Sequence, residues 1–104
     1  MANSYYSKMP DGLIDEQLFE ICAKLGVPLV DVFGKSKNCI ASVVRQLHCY
    51  CATKRKLVSV HKVSKSIGKS DDYGYRAVAS IDYRVRKNTL TSSMKDVLEF
   101  YELI

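Results

Sequence analysis

The stretch SKSIGKSDDYGYRAV, residues 64–78, decides how the chain is read. It holds Gly68-Lys69-Ser70, the tail of a phosphate-binding loop, and also the outline of a helix, a glycine turn and a second helix. A phosphate loop needs another glycine five residues ahead of the Gly of Gly-Lys-Ser, because its backbone N–H groups must wrap the phosphates unobstructed by bulky side chains. That position is Val63 here, and Leu29 for the second Gly-Lys-Ser at 34–36. Both tripeptides also follow helical patterning. No nucleotide is expected, and Gly68 reads as the stop of a helix.

Upstream of Gly68, Ser59 can cap a helix carrying Val60, Val63 and Ile67. Further back, Ile40, Val43, Val44, Leu47 and Cys51 stripe a longer helix that runs into Lys54-Arg55-Lys56. Ile14, Leu18, Ile21, Cys22 and Leu25 stripe a first helix, which Gly26 ends before Pro28 opens the short LVDVF segment. Downstream, Met94, Val97, Leu98, Tyr101 and Ile104 mark a closing helix, with Ser93 and Asp96 at capping-box spacing. Residues 75–87 are ambiguous. Val78, Ile81 and Val85 suit a helix face, whereas Tyr75, Ala77, Ala79, Ile81, Tyr83 and Val85 alternate as a strand does. Alternation slightly favours the strand, which would make a winged-helix protein. Residues 1–12, ending in Pro10-Asp11-Gly12, read as a flexible lead-in, and 13–104 as one domain.

Charge is segregated. Residues 1–34 carry net −3, residues 35–88 net +10 from thirteen Lys/Arg, and residues 89–104 net −2. A cationic middle between acidic ends suits a polyanionic partner. The N-terminus is polar and the apolar runs are short, so neither a secretory signal nor a membrane span is expected, and a cytoplasmic location follows. Cys22, Cys39, Cys49 and Cys51, with His48 and His61, show no Cys-x-x-Cys pair. Cys49 and Cys51 would point to different faces of a helix. They read as thiols rather than metal ligands. The histidines lack triad partners and no hydrolase or metalloprotease motif occurs, so neither an enzyme nor a cofactor is expected.

On the helix-turn-helix reading, residues 59–67 support, 68–74 turn, and 75–87 enter the major groove. Together ICAKLGVPLVDVFGKSK, Arg45-Gln46 and LVSVHKVSKSIGK give residues 14–103 a resemblance to the C-terminal DNA-binding domain of the bacterial replication initiator DnaA. The resemblance implies an all-α bundle of five to six helices containing a helix-turn-helix, and it tips residues 75–87 toward helix. It implies double-stranded DNA as partner and a replication or transcription regulator, or a mobile-element accessory protein. Lys35 and Lys37 match the family's basic loop, and Arg45 matches a phosphate-contacting arginine; Cys39 stands where the family often has another arginine. The signature Asp-His-Thr-Thr is replaced by Gly74, Tyr75, Arg76 and Ala77, which implies a non-standard sequence preference.

The residues expected to face bases are Tyr75, Arg76, Ser80 and Arg84. Those expected to hold phosphates are Lys35, Lys37, Arg45, Lys54, Lys69 and Ser70. The competing expectation is a protein-interaction module, or a homodimer, built on the same scaffold with Tyr73, Tyr75 and Tyr83 as its contact patch.

Overall fold

A computed structural model describes residues 10–33 and 39–104 of the chain. Among these residues six helices follow in order: α1 (Pro10–Leu25), α2 (Leu29–Phe33), α3 (Cys39–Lys54), α4 (Val60–Ser66), α5 (Asp71–Lys87) and α6 (Ser92–Phe100). No strand occurs among the described residues, so the winged-helix alternative is excluded there and the fold is an all-α bundle. Pro10, Asp11 and Gly12 form the first turn of α1 rather than a turn ahead of the domain. Proline's fixed φ and missing N–H suit that position. Residues 1–9 of the expected lead-in lie outside the described residues.

The helix boundaries follow backbone chemistry. Gly26 ends α1 at φ +68°, and the Val27 N–H bonds back to the Cys22 carbonyl at 3.0 Å. This left-handed conformation is the one glycine adopts without steric cost. Asn88 takes the same role after α5 at φ 57°, a position asparagine tolerates better than most residues. α6 is capped by Thr91, whose Oγ1 accepts from the Met94 N–H at 3.3 Å; Ser93, the expected cap, lies inside the helix.

Helix α3 is the axis of the bundle and touches each of the other five helices. Its Ala41, Val44, Leu47, Cys49, Tyr50, Cys51 and Ala52 are all buried, so it is covered on nearly every side. A helix in that position has no solvent face to keep polar. Ile40, placed in the apolar stripe by its spacing, is instead half exposed at the start of α3. Around this axis α1 contributes Ile14, Leu18, Ile21 and Cys22, and α6 contributes Met94, Val97 and Leu98. α4 contributes Val63, with Ile67 just after it, and α5 contributes Ala77 and Ile81.

One polar network crosses this core. Gln17 Nε2 donates to His48 Nδ1 at 2.9 Å and to the His48 carbonyl at 3.0 Å, while Gln17 Oε1 accepts from Arg55 Nη1 at 2.9 Å. Guanidinium can only donate, which fixes the orientation of the Gln17 amide and leaves Nδ1 of His48 as an acceptor. Burial holds the His48 imidazole neutral, its pKa pushed down to about 4. Burial also pushes the Cys49 and Cys51 thiols up to about 12, so both are inert at neutral pH. No disulfide and no metal-ligating cluster occurs among the described residues. No helix among them is long and apolar enough to cross a membrane.

Candidate nucleic-acid interface

The helix pair α4–α5 is set by three local devices. Ser59 caps α4, its Oγ accepting from the Lys62 N–H at 3.2 Å. At the other end Gly68, with φ +72°, lets its own N–H reach the Lys65 carbonyl at 3.0 Å and the Lys69 N–H reach the Ser64 carbonyl at 2.9 Å. These two bonds satisfy carbonyls that α4 would otherwise leave orphaned. Ser70 then caps α5, its Oγ accepting from the Tyr73 N–H at 3.4 Å. The connection between the helices is therefore the four residues 67–70, not the longer 68–74 expected from sequence. The residues counted as an extended turn, Asp71 to Gly74, are the first turn of α5.

Gly74 is buried where α4 and α5 meet. A Cβ built there would overlap Ser64 Oγ and lie 2.7 Å from Val60 Cγ1. The Ser64 hydroxyl is itself committed to the Val60 carbonyl at 2.7 Å. Next to this contact, His61 Nδ1 and Asp71 Oδ1 lie 2.6 Å apart on the surface, joining the beginnings of the two helices.

α5 has two faces. Gly74, Ala77 and Ile81 are buried, with Tyr73, Val78 and Val85 partly covered beside them. Opposite them, at helical spacing, stand the exposed Asp72, Arg76, Ala79, Tyr83 and Arg86, with Tyr75 and Lys87 alongside. Of the four residues expected to face bases, Tyr75 (63 % exposed) and Arg76 lie on this outward side. Ser80 is half-buried on the flank, in a shallow groove it shares with Gln46, Tyr73, Arg76 and Ala77. Arg84 is half-buried as well, and its Nη1 donates to the Thr89 carbonyl at 3.3 Å beyond the helix end.

The set expected to hold phosphates divides similarly. Lys35 and Lys37 lie outside the described residues. Arg45 is only 6 % exposed. Its Nε donates to the Val32 carbonyl and its Nη2 to the Asp31 carbonyl, each at 2.8 Å. Its place is inside the fold, closing the last turn of α2, and the expectation that it meets phosphates is corrected accordingly. Lys54 is exposed at the end of α3, with Nζ 4.0 Å from Asp82 Oδ1 on α5. Lys69 is half-buried, its Nζ 5.4 Å from the centre of the Tyr73 ring, and Ser70 is the α5 cap described above.

Sequence reasoning did not assign Lys62 and Lys65, exposed on α4, or Arg86, exposed beside Lys87 at the end of α5. For Arg86 the signal was present: it continues the 72–76–79–83 row, which is visible once α5 is extended back to Asp71. The run Lys54-Arg55-Lys56 splits in space. Lys54 turns toward α5, whereas the Arg55 guanidinium lies 4.2 Å over the Tyr101 ring and bonds Gln17 on the α1–α6 side. On that side Tyr101 donates to Glu20 Oε1 at 2.6 Å. Burial, then the neighbouring Glu20 carboxylate, holds the Tyr101 phenol well above its ordinary value.

No family model, curated protein or solved structure matches the chain.

Proposed function

We propose that the chain binds double-stranded DNA through the helix-turn-helix α4–α5, acting as a small regulator of replication or transcription or as an accessory protein of a mobile element. The observation that carries this reading is the outward row of α5, which stands opposite the buried row and is flanked by exposed cations on α4 and at the end of α3. Such a helix offers side chains to a major groove about 12 Å wide. The lysines beside it supply the sequence-independent attraction to phosphate. The sequence preference differs from that of the initiator family, because none of the four signature side chains ahead of the valine matched by Val78 is kept on α5.

The test is fluorescence anisotropy of a labelled random-sequence duplex across a salt series. If four or five exposed cations neutralise phosphates, the logarithm of the affinity falls against the logarithm of salt with a slope of about −4. Raising salt from about 50 mM to about 200 mM then weakens binding roughly 250-fold. Absence of binding at the lower salt, or binding indifferent to salt, rejects the reading. A protein-interaction module is the second reading, favoured by Tyr75 and Tyr83, 63 % and 53 % exposed on either side of Ala79. Tyrosine is enriched in the cores of protein interfaces. A stable protein complex from a protein that shifts no duplex would support it.

A further inference from the structure

The usual helix-turn-helix directs the N-terminal residues of its second helix at the bases. On α5 that end is acidic. Asp71 and Asp72 are both exposed in the first turn, and Asp72 heads the outward row. A helix N-terminus attracts phosphate through its dipole and free N–H groups. Here two carboxylates occupy that field and Ser70 Oγ takes one of the N–H groups. Pressing this turn into a groove lined by phosphates would set like charges against each other.

The opposite end of α5 has the reverse character. Its last turn holds Arg84, Arg86 and Lys87. Cations at a helix C-terminus also complement the dipole, and Arg84 Nη1 donates to the Thr89 carbonyl just past the helix end. Arg86 and Lys87 are placed differently. Arg86 Nε points back along the helix to Asp82 Oδ2 at 3.6 Å, and its side chain is 65 % exposed. The Arg86 guanidinium carbon and Lys87 Nζ each lie 5.9 Å from the centre of the Tyr83 ring. Lys54 arrives from α3 on the other oxygen of Asp82 at 4.0 Å. Three exposed cations from two helices thus gather around Tyr83 and one carboxylate.

Resting on the duplex-binding reading, we infer that DNA is gripped by the C-terminal half of α5, with its first turn held off the groove. Arg86, Lys87 and Lys54 hold phosphates. Tyr83 and Ala79, next along the outward row, face the base edges, where the small apolar Ala79 suits a thymine methyl group.

The experiment compares salt slopes for duplex binding by the full chain, the double variant Arg86→Ala/Lys87→Ala, and Asp72→Lys. All three changes fall on exposed side chains, and thermal melts check that each protein remains folded. Loss of two phosphate contacts reduces the slope by about 1.8 and weakens binding more than about tenfold at low salt. Asp72→Lys leaves the slope within about 0.3 of wild type, because its new ammonium meets no phosphate. The inference is overturned if the double variant keeps the wild-type slope, or if Asp72→Lys steepens it by about 0.9 or more. An unaltered wild type that binds no duplex removes the parent reading as well, so the two failures are distinguishable.

Discussion

Replacing Gly74 with alanine tests the crossing of α4 and α5 directly, because ordinary helix energetics and the observed packing predict opposite signs. In an exposed helix interior, Gly→Ala stabilises by about 1 kcal/mol through backbone entropy. At position 74 the new methyl overlaps Ser64 Oγ and meets Val60 Cγ1 at 2.7 Å. Rotating the Ser64 hydroxyl aside abandons its bond to the Val60 carbonyl, a loss of about 1 kcal/mol at a fully buried site. The valine methyl is still too close after that rotation, so the Val60 side chain or α4 itself must move. Overpacking of this kind costs about 1–3 kcal/mol, and the combination of two obstacles places it near the upper end.

Subtracting the propensity gain leaves Gly74→Ala destabilised by about 2 kcal/mol, or roughly 10 °C in melting temperature for a domain of this size. Urea titration and thermal melting followed by circular dichroism read both quantities. Ser64→Gly removes the hydroxyl and the Cβ that stand in the way. The double variant Ser64→Gly/Gly74→Ala should therefore be more stable than the sum of the two single changes by about 1 kcal/mol. A Gly74→Ala protein as stable as wild type, or more stable, would mean that α4 and α5 do not approach as described. The four-residue connection between them would then lose its main support.

His48 gives a pH dependence whose sign is fixed by burial. Its folded pKa, about 4, lies below the ordinary value near 6.5, so the unfolded chain binds more protons in that window. The stability contributed by the neutral imidazole is complete above about pH 6.5 and is lost as pH falls toward 4, amounting to about 3 kcal/mol. NMR titration of the folded protein reads it directly, and a His48 resonance titrating near 6.5 would contradict the buried network. Arg45→Met leaves the Asp31 and Val32 carbonyls without its two hydrogen bonds, and stability should fall by about 1–3 kcal/mol, read by urea titration. The duplex salt slope of that variant should match wild type, whereas a slope reduced by about 0.9 with stability intact would restore Arg45 as a phosphate contact.

Much of the bundle was legible because each outer helix buries only one stripe. Ile14, Leu18, Ile21 and Cys22 fall on such a stripe in the sequence, and all four are buried. Gly68 and Ser59 were legible for a different reason: a left-handed stop and a hydroxyl cap are local chemistry that needs no tertiary partner. Arg45 was not legible as a structural residue. Its partners are backbone carbonyls 13 and 14 residues away, and any basic side chain in a cationic segment looks the same until those carbonyls are placed. Gly74 misled in the opposite direction. Glycine usually punctuates a chain, so in the sequence it reads as part of a turn, although here it lies within a helix and serves close packing against Ser64.

The alternation over residues 75–85 has the same kind of resolution. Tyr75, Ala79 and Tyr83 are four residues apart, and so are Ala77, Ile81 and Val85. On a strand these six would share one face; on a helix they are two rows separated by roughly 200°. The first row is exposed, while Ala77 and Ile81 of the second are buried and Val85 is partly covered. The apparent period of two arises because Tyr75, Ala79 and Tyr83, which share the outward side with Asp72, Arg76 and Arg86, are aromatic or small, so every second residue from 75 to 85 reads as apolar. Alanine suits any solvated helix, so the two tyrosines, each more than half exposed, carry the pattern. The side chains that hid the helix from a periodicity argument are therefore the same ones on which the proposed contact surface relies.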